Sequence, residues 1–407
     1  MRGILTNLAL TAVVVTAVTF NAALAVINGH VTPLAPAAVI AAELLVVGAA
    51  QVLAALDADP RMLPWYLIGV VLIALFLGRS LLTGEIAPKY ARDVLLIPTF
   101  IVLGMAADAR TLDRTVLIVL ALVLIVAAIE VFAPESYAAL FKIQDYYIQT
   151  RGVQLEDFYS RDSDLFVSAV RPEGRLFAFL DMPRASSLFL EPVSLGNYCS
   201  IMTGYLCARC ARLGWLATTL IAIALVALLL ASDGRLATAT SLLIVMVAMM
   251  ARWLPQLSSY IYLPAAVVSA FVLVAVTGAQ SGADDALGRI AHTVELLRQY
   301  ELADWLGASD DYLREAMDSG IAYAIATQSI VGVVLLWTFL ALFSSEDTLE
   351  QIRFKHAALL YVSLTMLVSY SLFTIKTAAV LWFIHGALQA NAGSPATAPG
   401  IGELRHV

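Results

Sequence analysis

The chain has 407 residues, of which 61% are hydrophobic and only 14% charged, and its formal net charge is -7. A mean hydropathy of +0.85 excludes the two or three soluble domains that the length alone would allow. The acidic balance gives no footing for nucleic acid as a partner.

Apolar runs of roughly 17 to 24 residues recur almost from end to end, the signature of bilayer-spanning helices. The first, "MRGILTNLALTAVVVTAVTFNAALAVING", is too long for the core of a signal peptide and a second run follows closely, so it reads as a retained helix. In chain order, helices are expected near 4–27, 34–56, 62–83, 90–106, 114–133, 187–207, 213–231, 236–250, 258–277, 320–344, 356–373 and 376–391. The expected fold is an all-α polytopic integral membrane protein with about twelve transmembrane helices. Helices 1 to 5 fill 1–133, helices 6 to 9 fill 187–277, helices 10 to 12 fill 320–391, and 392–407 is a small-residue tail.

Orientation follows from Lys and Arg in the short connections. Arg2, Arg61, Arg110, Arg114, Arg209, Arg212, Arg252, Arg353, Lys355 and Arg405 fall on one side, against Lys89, Arg92, Arg235 and Lys376 on the other. Both termini are therefore expected in the cytoplasm, and the long connections 134–186 and 278–319 on the external face. The first connection mixes aromatic and charged residues. The second is acidic, with Asp284, Asp285, Glu295, Glu301, Asp304, Asp310, Asp311, Glu315 and Asp318 against Arg289, Arg298 and Arg314. Cys199, Cys207 and Cys210 lie in or beside one expected span; their C-x-x-C has no second pair or nearby His and reads as packing thiols, not a metal site.

The external charges are the candidate site. Arg79 and Arg92 bracket the turn after the third helix, Arg235 sits in "ASDGRLATATS", Lys376 opens the last helix, and Arg184 closes the first loop. Arg289 stands in "ALGRIAHTVELL", with His292 three residues on, the spacing of one helix face. Cations on the external side run against the topological preference. As a set they suit an anion, because the guanidinium fork matches phosphate oxygens. Glu191 falls in the membrane register, where an ionised carboxylate is costly and should face a cavity or an arginine. Pro192 pushes residue 191 out of helical geometry, so the segment should enter as coil and turn helical from about Val193. Of two other intramembrane acids, Glu130 is expected to reach water at its helix end, and Glu43 to make a structural hydrogen bond. Asp318-Ser319-Gly320 reads as a helix cap.

"RASSLFLEPVSLGNY" closing the first loop, "DGRLATATSLL" in a short turn and "DSGIAYAIATQSIVG" closing the second loop together resemble the bacterial O-antigen polymerase and ligase superfamily, in particular the Wzy-type polysaccharide polymerases. The resemblance implies a GT-C-like fold and a metal-independent glycosyltransferase without cofactors. Such an enzyme acts on undecaprenyl-diphosphate-linked glycan donors and acceptors at the periplasmic face of the bacterial inner membrane. Its partners would be the bilayer and a chain-length regulator or export complex. Arg184 and Arg235 match the residues thought to hold the lipid diphosphate, with Arg289, Arg92 and Lys376 as further candidates. Glu191 and His292 both stand as the base, although the neighbours of His292 do not reproduce the ligase motif. Asp318 and Tyr159 are candidate substrate residues in the loops, and the tyrosines of "DYYIQ" offer stacking faces for sugars. Two rival readings remain open, an O-antigen ligase and a lipid-linked glycan flippase.

Overall fold

The computed structural model describes residues 2–154, 165, 169, 176–177, 183–282 and 286–390. Fifteen α-helices and several 3-10 turns make up these residues, with no strand among them. The helices are α1 (Arg2–His30), α2 (Pro36–Ala55), α3 (Leu63–Thr83), α4 (Pro88–Met105), α5 (Ala109–Phe132), α6 (Pro134–Phe141), α7 (Ile143–Arg151) and α8 (Pro192–Ser232). They continue with α9 (Arg235–Met250), α10 (Ser258–Thr277), α11 (Ala286–Gln299), α12 (Leu302–Trp305), α13 (Gly320–Leu342), α14 (Leu349–Thr365) and α15 (Ile375–Ala390).

Among the described residues, eight helices are long and apolar enough to cross a membrane: α1, α2, α3, α5, α8, α9, α10 and α13. Their outward faces carry large apolar side chains such as Leu45, Leu81, Trp215 and Val276, all exposed. A soluble protein rarely presents so much apolar surface, whereas lipid contact requires it. This is the architecture of an α-helical membrane protein. The other expected segments are helical as well, but α4 carries Lys89, Arg92 and Asp93 in its first turns, and α14 and α15 have only 17 and 16 residues.

The expected segments 187–207 and 213–231 form one continuous helical assignment, α8. A straight helix would hold Gly196 and Ser232 about 54 Å apart, yet Gly196 packs against Ala237, with Ser232 and Gly234 alongside. The chain therefore doubles back at Gly214, whose φ of 77° and ψ of 163° belong to a region that glycine enters without a Cβ clash.

At the centre, α4 and α15 cross closely. Leu96, Ile97, Phe100 and Ile101 of α4 and Trp382, Phe383 and Ile384 of α15 are wholly buried. Contact at this distance depends on two glycines: a Cβ at Gly104 would strike the Phe383 carbonyl, and one at Gly386 the Ile101 carbonyl. Small residues at a crossing are the usual means by which helices in lipid approach backbone to backbone.

Both long connections lie at one end of this bundle. In the first, Tyr147 of α7 bonds Glu191; in the second, Thr293 of α11 bonds the Leu367 carbonyl beyond α14. The opposite end is tied by Arg209, which pairs with Asp113 at 2.6 Å and Glu350 at 2.7 Å, and by Arg212 on the same Glu350.

Candidate functional site

The site forms where the two central helices reach the loop end. A 3-10 turn, Ser187–Phe189, brings the chain inward, Leu190 takes φ 60°, and Glu191 is extended at φ -135° and ψ 124° before α8 starts at Pro192. Proline at the first helical position has no N–H to leave unsatisfied, so the helix begins one residue earlier than expected and fixes Glu191 at its N-cap.

Four donors converge on the Glu191 carboxylate. Oε1 accepts from the Tyr147 hydroxyl at 2.6 Å and Arg151 Nη1 at 3.0 Å; Oε2 accepts from Ser194 Oγ at 2.7 Å and faces Lys376 Nζ at 2.7 Å. A carboxylate offers about four lone-pair positions, and all are taken. Glu191 is thus built as an organiser of two cations, and Arg184 is not among its partners. Lys376 is wholly buried and also donates to the Phe189 carbonyl at 2.9 Å. The Arg151 guanidinium lies 4.7 Å from the centre of the Tyr147 ring. Burial opposes its charge, but Tyr147 and Glu191 more than offset this and hold its pKa above the ordinary value.

Beside this knot, Arg92 is buried between Glu43 and Asp93, the latter bond from Nε measuring 2.8 Å. Arg92, expected to face a diphosphate, is instead neutralised by two acids, which also accounts for Glu43 in mid-span. Asp93 further accepts from the Tyr323 hydroxyl at 2.5 Å. Arg79 is likewise committed, to Asp310 of the second connection and to the Ala326 carbonyl at 3.0 Å. Glu130 does not reach water. It is buried and accepts the backbone N–H groups of Ser186 and Ser187 at 2.8 and 2.6 Å, anchoring the returning first loop.

Arg184 and Arg235 meet at one turn. Arg184 is buried, with Nε donating to the Ser232 carbonyl at 3.0 Å, and Arg235, half-buried, is the first residue of α9 three positions on. No hydrogen bond or ion pair engages the Arg235 guanidinium among the described residues. Asp233 in the same turn takes φ 47° and accepts the N–H groups of Leu176 and Phe177, both at 2.9 Å. The turn therefore joins the first connection to the start of α8, since Gly196 packs against it.

The second connection is held elsewhere. Arg289 and His292 lie on α11. His292 contacts Ser281 Oγ through Nδ1 at 3.1 Å and the Glu315 carbonyl through Nε2 at 3.0 Å. A carbonyl accepts only, so Nε2 carries the proton and Nδ1 accepts from the serine. Both nitrogens are thus used in tethering the loop. His292→Ala is expected to lower stability by about 1 kcal/mol, the loss of one such tether, as read by thermal unfolding in detergent. An unchanged unfolding temperature would show that the two bonds do not hold the loop. Asp318 is exposed, and the cap of α13 is Ser319, whose Oγ accepts the Ala322 N–H at 3.3 Å. Tyr159 lies outside the described residues, as do Asp284 and Asp285.

Arg151, Lys89, Asp93, Tyr323 and Tyr370 did not figure as site residues in the sequence reading. One local signal was present: Tyr147 and Arg151 are four apart, on one helix face. Away from the charges, an apolar cavity of about 300 Å3 opens between α10 and α13, lined by Leu263, Pro264, Ile325, Val333 and Trp337. It sits where α13 breaks at Ser329, φ 63°. Among the described residues, no three His, Cys, Asp or Glu side chains group as metal ligands. No family model matches the chain, and neither a curated protein nor a solved structure matches it.

Proposed function

We propose that the protein is a membrane glycosyltransferase that polymerises undecaprenyl-diphosphate-linked repeat units at the periplasmic face of the bacterial inner membrane, with twelve spans and both termini cytoplasmic. The observation that supports this best is the turn at 232–235. It brings together Arg184 and Arg235, far apart in sequence, and among the described residues no partner engages the Arg235 guanidinium.

In this reading the growing glycan is the donor. A hydroxyl oxygen of the incoming repeat attacks the anomeric carbon, the bond from that carbon to the phosphate oxygen breaks, and the lipid diphosphate departs with the electron pair. The charge that develops on the diphosphate is met by Arg184 and Arg235, which supply fixed electrostatic stabilisation. The hydroxyl proton passes to the released diphosphate, since Glu191 and His292 have their acceptor positions filled. Glu191 positions Arg151 and Lys376. The apolar cavity between α10 and α13 offers a place for part of an isoprenoid chain.

Arg235→Ala in purified full-length protein is expected to slow chain growth about 100-fold, the usual loss for one donor to a developing oxyanion, with single lipid-linked repeats accumulating. Arg235→Lys should restore part of the rate. Normal polymer length in Arg235→Ala would sink the proposal. Growth in this assay, without a lipid A core acceptor, also separates polymerase from ligase, and covalent extension separates both from a flippase.

A further inference from the structure

α13 is broken at Ser329, where φ 63° and ψ 164° fall in a region that glycine enters freely and a residue with a Cβ does not. Gly307 of the second connection packs on the break: a Cβ there would lie 3.1 Å from the Ser329 nitrogen. The cavity of about 300 Å3 begins at this point, for Ile325 and Ile330 on either side of the break both line it. Leu297 of α11 and Trp305 of α12 close it from the second connection. Val268 and Val334 also line it, and both are exposed on the outer face of the bundle, by 62% and 49%. The cavity is thus open sideways to lipid between two membrane-spanning helices.

An apolar cavity in a membrane selects little by itself, because lipid tails are as apolar as its walls. Selection needs a group that reads the head of the lipid, and Arg298 supplies one. It follows Leu297 directly, and its guanidinium carbon lies 5.6 Å from the ring centre of Phe271. Phe271 stands one turn beyond Val267 and Val268 of the cavity wall, toward the loop end of α10. A ring face holds a guanidinium in place without neutralising it. Arg298 is exposed and pairs with no acid among the described residues. Of the acids near it in sequence, Glu295 accepts from Gln299 at 3.3 Å and Glu301 caps α12. A cation at the headgroup end of an apolar cavity complements a lipid that carries phosphate on its head.

We propose that this cavity and Arg298 form a lateral entry site for a phosphorylated isoprenoid lipid: the chain lies between α10 and α13, and the phosphate meets Arg298. The identity of the lipid rests on the polymerase reading, in which a lipid-linked repeat must come in from the outer leaflet before it reacts. Continuity with the Arg184–Arg235 turn supports the assignment. Leu236, next to Arg235, and Val267, in the cavity wall, pack against one small cluster that includes Ala270 and Val274 of α10 and Ala291 and Val294 of α11.

The test is photolabelling of purified full-length protein in phosphatidylglycerol nanodiscs with a geranylgeranyl diphosphate that carries a diazirine on its chain, the labelled residues being read by peptide mass spectrometry. Label should fall on α10 and α13 around Val268, Val333 and Val334, and plain geranylgeranyl diphosphate should compete it away although phosphatidylglycerol is in large excess. Val333→Trp, which fills the cavity, and Arg298→Gln, which removes the charge, should each cut this label about tenfold or more, while Arg298→Lys keeps most of it. If thermal unfolding shows that Val333→Trp does not fold, Val334→Trp takes its place at the lipid-facing mouth. Label elsewhere on the chain, label unchanged in these variants, or equal competition by geranylgeraniol would overturn the entry site. Chain growth in Arg235→Ala judges the polymerase reading separately. Its loss beside unchanged label in Val333→Trp removes only the entry site; normal growth beside the expected label pattern removes only the polymerase reading.

Discussion

If the protein is the polymerase proposed above, Glu191→Gln is expected to bring polymer below detection; in any case it should destabilise the protein by about 3–5 kcal/mol, the cost of breaking a buried charge pair by removing one partner. Glutamine matches glutamate in size but is neutral. Lys376, wholly buried, would lose the only acid that pairs with it among the described residues, and Arg151 would lose its partner at 3.0 Å. Two uncompensated cations would remain, and the first loop would lose the hold that Tyr147 and Arg151 of α7 provide. Thermal unfolding in detergent and gel analysis of polymer read the two effects separately. Adding Lys376→Met to Glu191→Gln should recover part of the stability, because the buried charge disappears with its partner, and should not recover polymer. Normal polymer from Glu191→Gln would show that the knot is not needed for function.

Gly386→Val is expected to prevent accumulation of folded protein altogether. Overfilling a packed interior costs about 1–3 kcal/mol when side chains can shift; here the obstacle to a Cβ is the Ile101 backbone carbonyl, which cannot turn aside. Gly104→Val should behave alike, since its Cβ would meet the Phe383 carbonyl. Gly48→Ala is the control: a Cβ there meets nothing within 4 Å, and helix propensity favours alanine by about 1 kcal/mol. A folded monodisperse peak for Gly386→Val in size-exclusion chromatography would show that α4 and α15 need not cross so closely. Because Lys89, Arg92 and Lys376 ride on these helices, even Gly386→Ala should perturb the charged cluster.

The helices were legible because lipid-facing and buried positions alike demand apolar residues, and the runs that result are long. The entry of α8 was legible too, since Pro192 constrains its neighbour whatever the tertiary setting. Partnerships were not. Glu43 and Arg92 meet across two helices, and no local pattern says which of several cations a buried acid will hold. Glu130 looked solvated by its place near a helix end; the backbone N–H groups that cover it come from residues 186 and 187. Arg151 was hidden by its position in a polar connection, where an arginine needs no explanation. Arg92 and Lys376 were read as candidate diphosphate ligands because the sequence shows charge and not its compensation.

The shortness of α15 has a consequence for depth. Sixteen residues rise only about 24 Å, against a hydrocarbon layer of about 30 Å. Its loop-end terminus, where Ser371, Lys376 and Thr377 are all buried, is therefore a polar patch closed in by the surrounding helices. Charges enclosed in this way escape the screening of bulk salt, and each fixed cation there acts more strongly on its acid than the same pair would at the membrane surface.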